Sequence, residues 1–162
     1  MAEKIKLLIV DDEVQFLNAL SQRLEIRDFH VTKATNGAEA VQAARKDKFD
    51  LALLDLKMPG MDGKEVLQLL KKEHQYLEVI ILTGHGSLDS AVECTKLGAY
   101  GYLPKPYELE QLIKVLKEAY EERMKKKFQS NEEKMSEIMK IATGDSPLAI
   151  MRRLRQIDDD TK

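Results

Sequence analysis

Short apolar runs alternate along the chain with longer stretches in which apolar residues recur every three or four positions. "IKLLIV" (5–10) predicts a buried strand, and "EVQFLNALSQRLEIR" (13–27) a helix carrying Phe16, Leu17, Leu20 and Leu24 on one face. "FHVTKAT" (29–35) is a more polar strand suited to a sheet edge, and the helix "AEAVQAARKD" follows Asn36-Gly37. "DLALLD" (50–55), "EVIILTG" (78–84) and a short segment within "AYGYLPKP" (99–106) predict three more strands. Between and after them, "GKEVLQLLKKEH" (63–74), "SLDSAVECTKLG" (87–98) and "ELEQLIKVLKEAYEERMKKKF" (108–128) predict helices.

The helical period continues past that point, but not evenly. Leu109, Leu112, Leu116, Ala119 and Tyr120 form a seam that Lys125–Lys127 and "QSN" interrupt; Met135, Ile138, Met139 and Ala142 resume it. "TGDSPLAIMRRLRQIDDDTK" restarts a helix, with Ser146 or Asp145 as N-cap and Pro147 at the first helical position. Leu148, Met151, Leu154 and Ile157 line one face, with Arg152, Arg153 and Arg155 expected outside it. A segment of this length is marginal alone, so it is expected to dock on something or form a short coiled coil.

Composition narrows the class. The 162 residues are 43% hydrophobic and 33% charged, with a formal net charge of −2, which calls for neither nucleic acid nor an anionic membrane. The basic runs "KKK" and "RRLR" are interspersed with acids, so they read as solvated faces. One cysteine, Cys94, allows no internal disulfide or thiolate metal cluster, and its place in a predicted helix points to packing. The N-terminal apolar stretch is too short for a signal peptide and no segment could span a bilayer, so a cytoplasmic location is expected.

Five strand-then-helix units predict an open parallel α/β sheet with helices on both faces. Ligands in such sheets sit beyond the carboxyl ends of the strands. Asp11 and Asp12 end the first strand, Asp55 the third and Thr83 the fourth, and Lys105 follows the fifth. All fall on one rim. Carboxylates 4 Å apart repel by about 4 kcal/mol per pair at an effective dielectric of 20, and a hard divalent cation such as Mg²⁺ would offset this. A metal, a lysine, a hydroxyl and a carboxylate nucleophile are the parts that phosphoryl transfer to an aspartate requires.

With these motifs, "VDDE", "LLDLKMPGMDG", "ILTGHG" and "YLPKP", the sequence resembles the response-regulator receiver family of bacterial two-component signalling over about residues 4–123. The resemblance implies a flavodoxin-like, doubly wound five-stranded sheet of order 2-1-3-4-5. It also implies a receiver over 4–123, followed by a helical C-terminal extension, 124–162, without a recognisable output domain. Asp55 would be the phosphorylated residue, and Lys105 would neutralise the phosphoryl group. Mg²⁺ would be held by Asp12, Asp55, Asp11 through water and the Lys57 backbone carbonyl. Thr83 and Tyr102 would be the switch pair, Lys57 and His85 would tune the phosphoryl lifetime, and the Lys105–Pro106 bond would be cis.

The implied partners are a sensor histidine kinase or phosphotransfer protein and an unidentified downstream protein, with a homodimer through the fifth helix and tail as an option. "LTGHGSLDSAVECTKLGAYGYLPKP" resembles receivers of nitrogen-regulation-type activators. A receiver portion of a transcription activator, or a DNA binder acting through the tail, is therefore the alternative. A Mg²⁺ phosphohydrolase would want a second acid where Lys57 stands, and flavodoxin-like cofactor binding would want a Gly-rich phosphate loop.

Overall fold

The computed structural model describes residues 4–58, 60, 62–84, 88–141 and 145–160, apart from the side chains of Thr83, Leu88 and Asp160. Five β–α units come first: β1 (Ile5–Val10), α1 (Val14–Glu25), β2 (Phe29–Ala34), α2 (Gly37–Lys46), β3 (Leu51–Asp55), α3 (Gly63–Glu73), β4 (Glu78–Thr83), α4 (Leu88–Lys96), β5 (Gly101–Pro104) and α5 (Leu109–Lys127). Two further helices follow, α6 (Glu132–Ile141) and α7 (Pro147–Asp160). The strands are all parallel, in the order β2-β1-β3-β4-β5.

Burial on both faces explains why the strands read as unbroken apolar runs rather than alternating ones. Side chains alternate between the faces. Ile5, Leu7 and Ile9 of β1 join a core with α1, α5, α6 and α7; Leu8 and Val10 join a second core with α2, α3 and α4. Cys94 is fully buried in that second core. Burial pushes its thiol pKa up, which makes it a packing residue in its present surroundings.

Local chemistry sets the helix ends. Asn36 accepts from the Glu39 N–H to start α2, and Asp62 accepts from the Lys64 N–H to start α3. α1 stops two residues before the periodicity predicts. Ile26 faces solvent, 79% exposed, and Asp28 turns the chain into β2 through a left-handed φ of 68°. Aspartate tolerates that conformation better than most side chains.

The tail folds back onto the sheet. α5 runs unbroken past residue 123, and α6 and α7 pack on it. Ile138, Ile150, Met151, Leu154 and Ile157 are buried in one cluster with Leu24, Phe29, Tyr120 and Met124. Ser146, rather than Asp145, caps α7, accepting the Ala149 N–H at 3.3 Å, while Asp145 pairs with Arg153 at 2.7 Å. Ala142 of the expected seam lies outside the described residues.

Two expectations for the tail's charges are corrected. Arg155 does not lie outside the apolar face: it is buried, 3.2 Å from both Asp50 oxygens and 3.2 Å from Asp158. The runs "KKK" and "RRLR" are likewise not simply solvated, since Lys127 pairs with buried Asp158 and Lys126 lies 3.1 Å from buried Glu78. The reason is at the other end of the strands. Asp50, immediately before β3, and Glu78, the first residue of β4, are buried carboxylates, and a buried charge must be paired. Arg123 adds a 2.9 Å contact to Asp50.

Because the tail shares the core of the five β–α units, Leu154→Ala is expected to destabilise the whole chain by about 2–5 kcal/mol. Urea unfolding checks this: one transition with a lowered midpoint is expected, whereas an unshifted main transition would mean the tail is only loosely attached.

Candidate functional site

The carboxyl ends of β1, β3, β4 and β5 meet on one rim. The Asp11 N–H continues the ladder beyond β1, donating to the Ala34 carbonyl at 3.0 Å. This holds the Asp11 side chain in the interior, fully buried. Its Oδ1 accepts the Glu13 N–H at 2.9 Å and its Oδ2 accepts from Lys105 Nζ at 2.8 Å. Asp12, one residue on, is exposed.

Asp55 closes β3 opposite Leu82 and is only 5% exposed. Its Oδ1 accepts the Lys57 N–H at 3.1 Å, and its Oδ2 lies 3.8 Å from Lys105 Nζ. The loop beyond it is tight. Gly60 adopts φ 94°, and a Cβ on Gly63 would lie 3.1 Å from the Leu56 Cα. Lys105 reaches the rim from just beyond β5, and the Lys105–Pro106 bond is cis.

Asp11, Asp12 and Asp55 each offer an oxygen, all within 4.8 Å of one another. One ammonium shared by Asp11 and Asp55 does not balance three carboxylates. Burial, aided by the charges of Asp11 and Asp12, pushes the Asp55 pKa up to about 6, against the opposing pull of the Lys57 N–H and Lys105. An all-oxygen set carrying excess negative charge fits a hard divalent cation.

Other sequence-derived candidates are placed less fully. The Thr83 backbone ends β4 in register with Pro104, its side chain being outside the described residues, as is all of His85. Tyr102 lies on β5, 38% exposed, and the Lys57 side chain is exposed. The residues missed from sequence are those at the opposite pole, Asp50, Glu78, Arg123 and Arg155. An acid directly before an apolar strand was the available signal for Asp50 and Glu78.

A family model described as the response regulator receiver domain matches residues 7–117, and the chain belongs to that family. Among relatives, it is 37% identical to the DNA-binding transcriptional regulator NtrC of Escherichia coli (strain K12) over 111 residues, 68% of this chain and 24% of that protein. It is 36% identical over 112 residues to sporulation initiation phosphotransferase F of Bacillus subtilis (strain 168), covering 69% of this chain and 90% of that one. A solved response regulator receiver domain protein (CheY-like) from Methanospirillum hungatei JF-1 superposes with a TM-score of 0.73 at 32% identity, over 76% of this chain and 99% of that one. The chain spans about a quarter of the first activator-type relatives. α6 and α7 lie beyond the family match. The family is a phosphoacceptor signalling module of two-component systems, and receiver domains generally bind Mg²⁺ at an acidic pocket. Among the described residues, no helix is long and apolar enough to cross a membrane.

The crowded carboxylates predict a pH effect. Asp55 has a raised pKa in the fold, so the folded state holds its proton over the range from the ordinary 3.8 up to about 6. Stability from this group is therefore present at low pH and lost as pH rises through that window. In metal-free buffer at pH 7, Asp55→Asn is expected to be more stable than wild type by roughly 1–2 kcal/mol after allowing for screening. Thermal melts in EDTA check this: the gap should narrow below pH 4 and on adding Mg²⁺.

Proposed function

We propose that Asp55 accepts a phosphoryl group from the phosphohistidine of a sensor kinase or phosphotransfer protein. The observation that carries this reading is the placement of Asp55. It is a nearly buried carboxylate at a rigid strand end, 3.8 Å from a lysine and within 4.8 Å of two further acids. An Asp55 oxygen attacks phosphorus, the phosphorus–nitrogen bond breaks, and the leaving imidazole takes up a proton. Water later attacks the same phosphorus, releasing inorganic phosphate and restoring the carboxylate. Lys105, already beside both Asp11 and Asp55, offsets charge on the phosphoryl oxygens.

Asp12, Asp55 and the Lys57 carbonyl would hold Mg²⁺ directly. Asp11, whose oxygens are engaged by Lys105 and the Glu13 N–H, would reach it through water. The ion, when bound, would screen the incoming phosphoryl charge. Thr83 and Tyr102 would read out the new charge, remodelling the α4–β5–α5 face for a downstream protein. A role in nucleic-acid binding for the tail finds little support, because Lys126, Lys127 and Arg155 are engaged with buried acids. The match to NtrC keeps the receiver portion of an activator as the alternative.

Incubating the chain with acetyl phosphate and Mg²⁺ should give an acid-stable, hydroxylamine-labile label on wild type and none on Asp55→Asn. Label persisting on that variant would refute the assignment. Lys57, an exposed cation two residues past the nucleophile, would obstruct or pair near the path of the attacking water. Lys57→Ala should therefore shorten the half-life of the label several-fold, and an unchanged decay rate would remove that role.

A further inference from the structure

Lys105 is fixed by more than its carboxylates. Its Nζ sits 4.3 Å from the centroid of the Phe16 ring, on the first turns of α1. Phe16 is in turn braced by Tyr107, the rings meeting edge to face at 83° with centroids 6.4 Å apart. The ammonium thus has an aromatic wall on one side, Asp11 at 2.8 Å and Asp55 at 3.8 Å. Its side chain is 20% exposed, so it is largely withdrawn from water.

A lysine is a compact charge on a stem with many rotamers, and ion pairing alone leaves it free to swing between partners. An aromatic face attracts the cation through its quadrupole and blocks the rotamers that would carry it into solvent. Periodicity marks Phe16 only as part of an apolar helix face. In the fold it is partly buried and packed against the core.

The geometry points to Phe16 as a positioning residue, one that holds the Lys105 ammonium at the rim for charge developing at Asp55. The hold on Lys105 stands on the geometry alone; its effect on phosphorylation rests on the function proposed above. Phe16 touches no reacting atom. It acts through where it keeps the lysine.

The test uses the full-length chain with acetyl phosphate, a small donor whose reaction does not depend on protein docking at α1. Phe16→Leu keeps the apolar volume and removes the ring face, while Phe16→Tyr keeps the face. The initial labelling rate is expected to fall by about tenfold in Phe16→Leu and to stay within about twofold of wild type in Phe16→Tyr. A structural role alone would move the rates of both variants with their melting temperatures. Wild type that labels beside a Phe16→Leu variant labelling equally fast would overturn the inference.

The hold itself is read without any donor. In ¹H–¹³C NMR spectra, the terminal methylene protons of Lys105 should be shifted upfield by the ring in wild type and Phe16→Tyr, and return to ordinary values in Phe16→Leu. Absence of that shift in wild type overturns the inference regardless of labelling. Wild type that shows the shift but takes no label would overturn the proposed function instead, leaving the Phe16–Lys105 hold supported.

Discussion

Three carboxylates gathered at the ends of β1 and β3, with one lysine between two of them, set the terms for the rest of the molecule. Such a cluster costs free energy, and folded domains are in general stable by only about 5–15 kcal/mol, so the structure around it must be rigid. The parallel sheet supplies that rigidity. Both faces are covered, each strand is bonded to its neighbours, and β3 lies in the middle of the order. Asp55 is held by the backbone that follows it as well as by the strand that precedes it.

The same sheet carries a second ionic cluster at its other pole, with opposite consequences. At the rim, acids outnumber the single lysine, which leaves negative charge for a cation to balance. At the strand beginnings, Asp50 and Glu78 are matched by Arg123, Arg155, Lys71 and Lys126, drawn from three helices. There, with Asp158 also paired, every buried acid has a cationic partner, and the network fastens α5 and α7 to the sheet. One pole carries acids in excess, whereas at the other the acids are met by cations.

Much of this was legible from the order of residues. Buried parallel strands announce themselves as apolar runs, so β1 begins and ends where "IKLLIV" does, and β3 and β4 differ from the expected spans by one residue each. The rim candidates followed from strand ends plus the topology of doubly wound sheets. Helix ends were harder: nothing in the 13–27 periodicity shows that Asp28 turns the chain and leaves Ile26 in water. Arg155 was misjudged because an apolar stripe describes a helix alone, whereas the partner that draws this arginine inward stands 105 positions earlier. Phe16 was read as core because helical spacing cannot reveal a cation arriving from another element.

β3 is tethered at both extremities: Asp50, the residue just before it, by arginines from α5 and α7, and Asp55, its last residue, by the lysine beyond β5. Side chains on a strand alternate, so sliding it by a single residue would turn its apolar set to the wrong layers and draw both acids away from their counterions. The strand therefore behaves as a fixed ruler with a stop at each end. Insertions or deletions inside it should be among the least tolerated in the chain, and any movement in this half of the molecule must be borne by the elements around it.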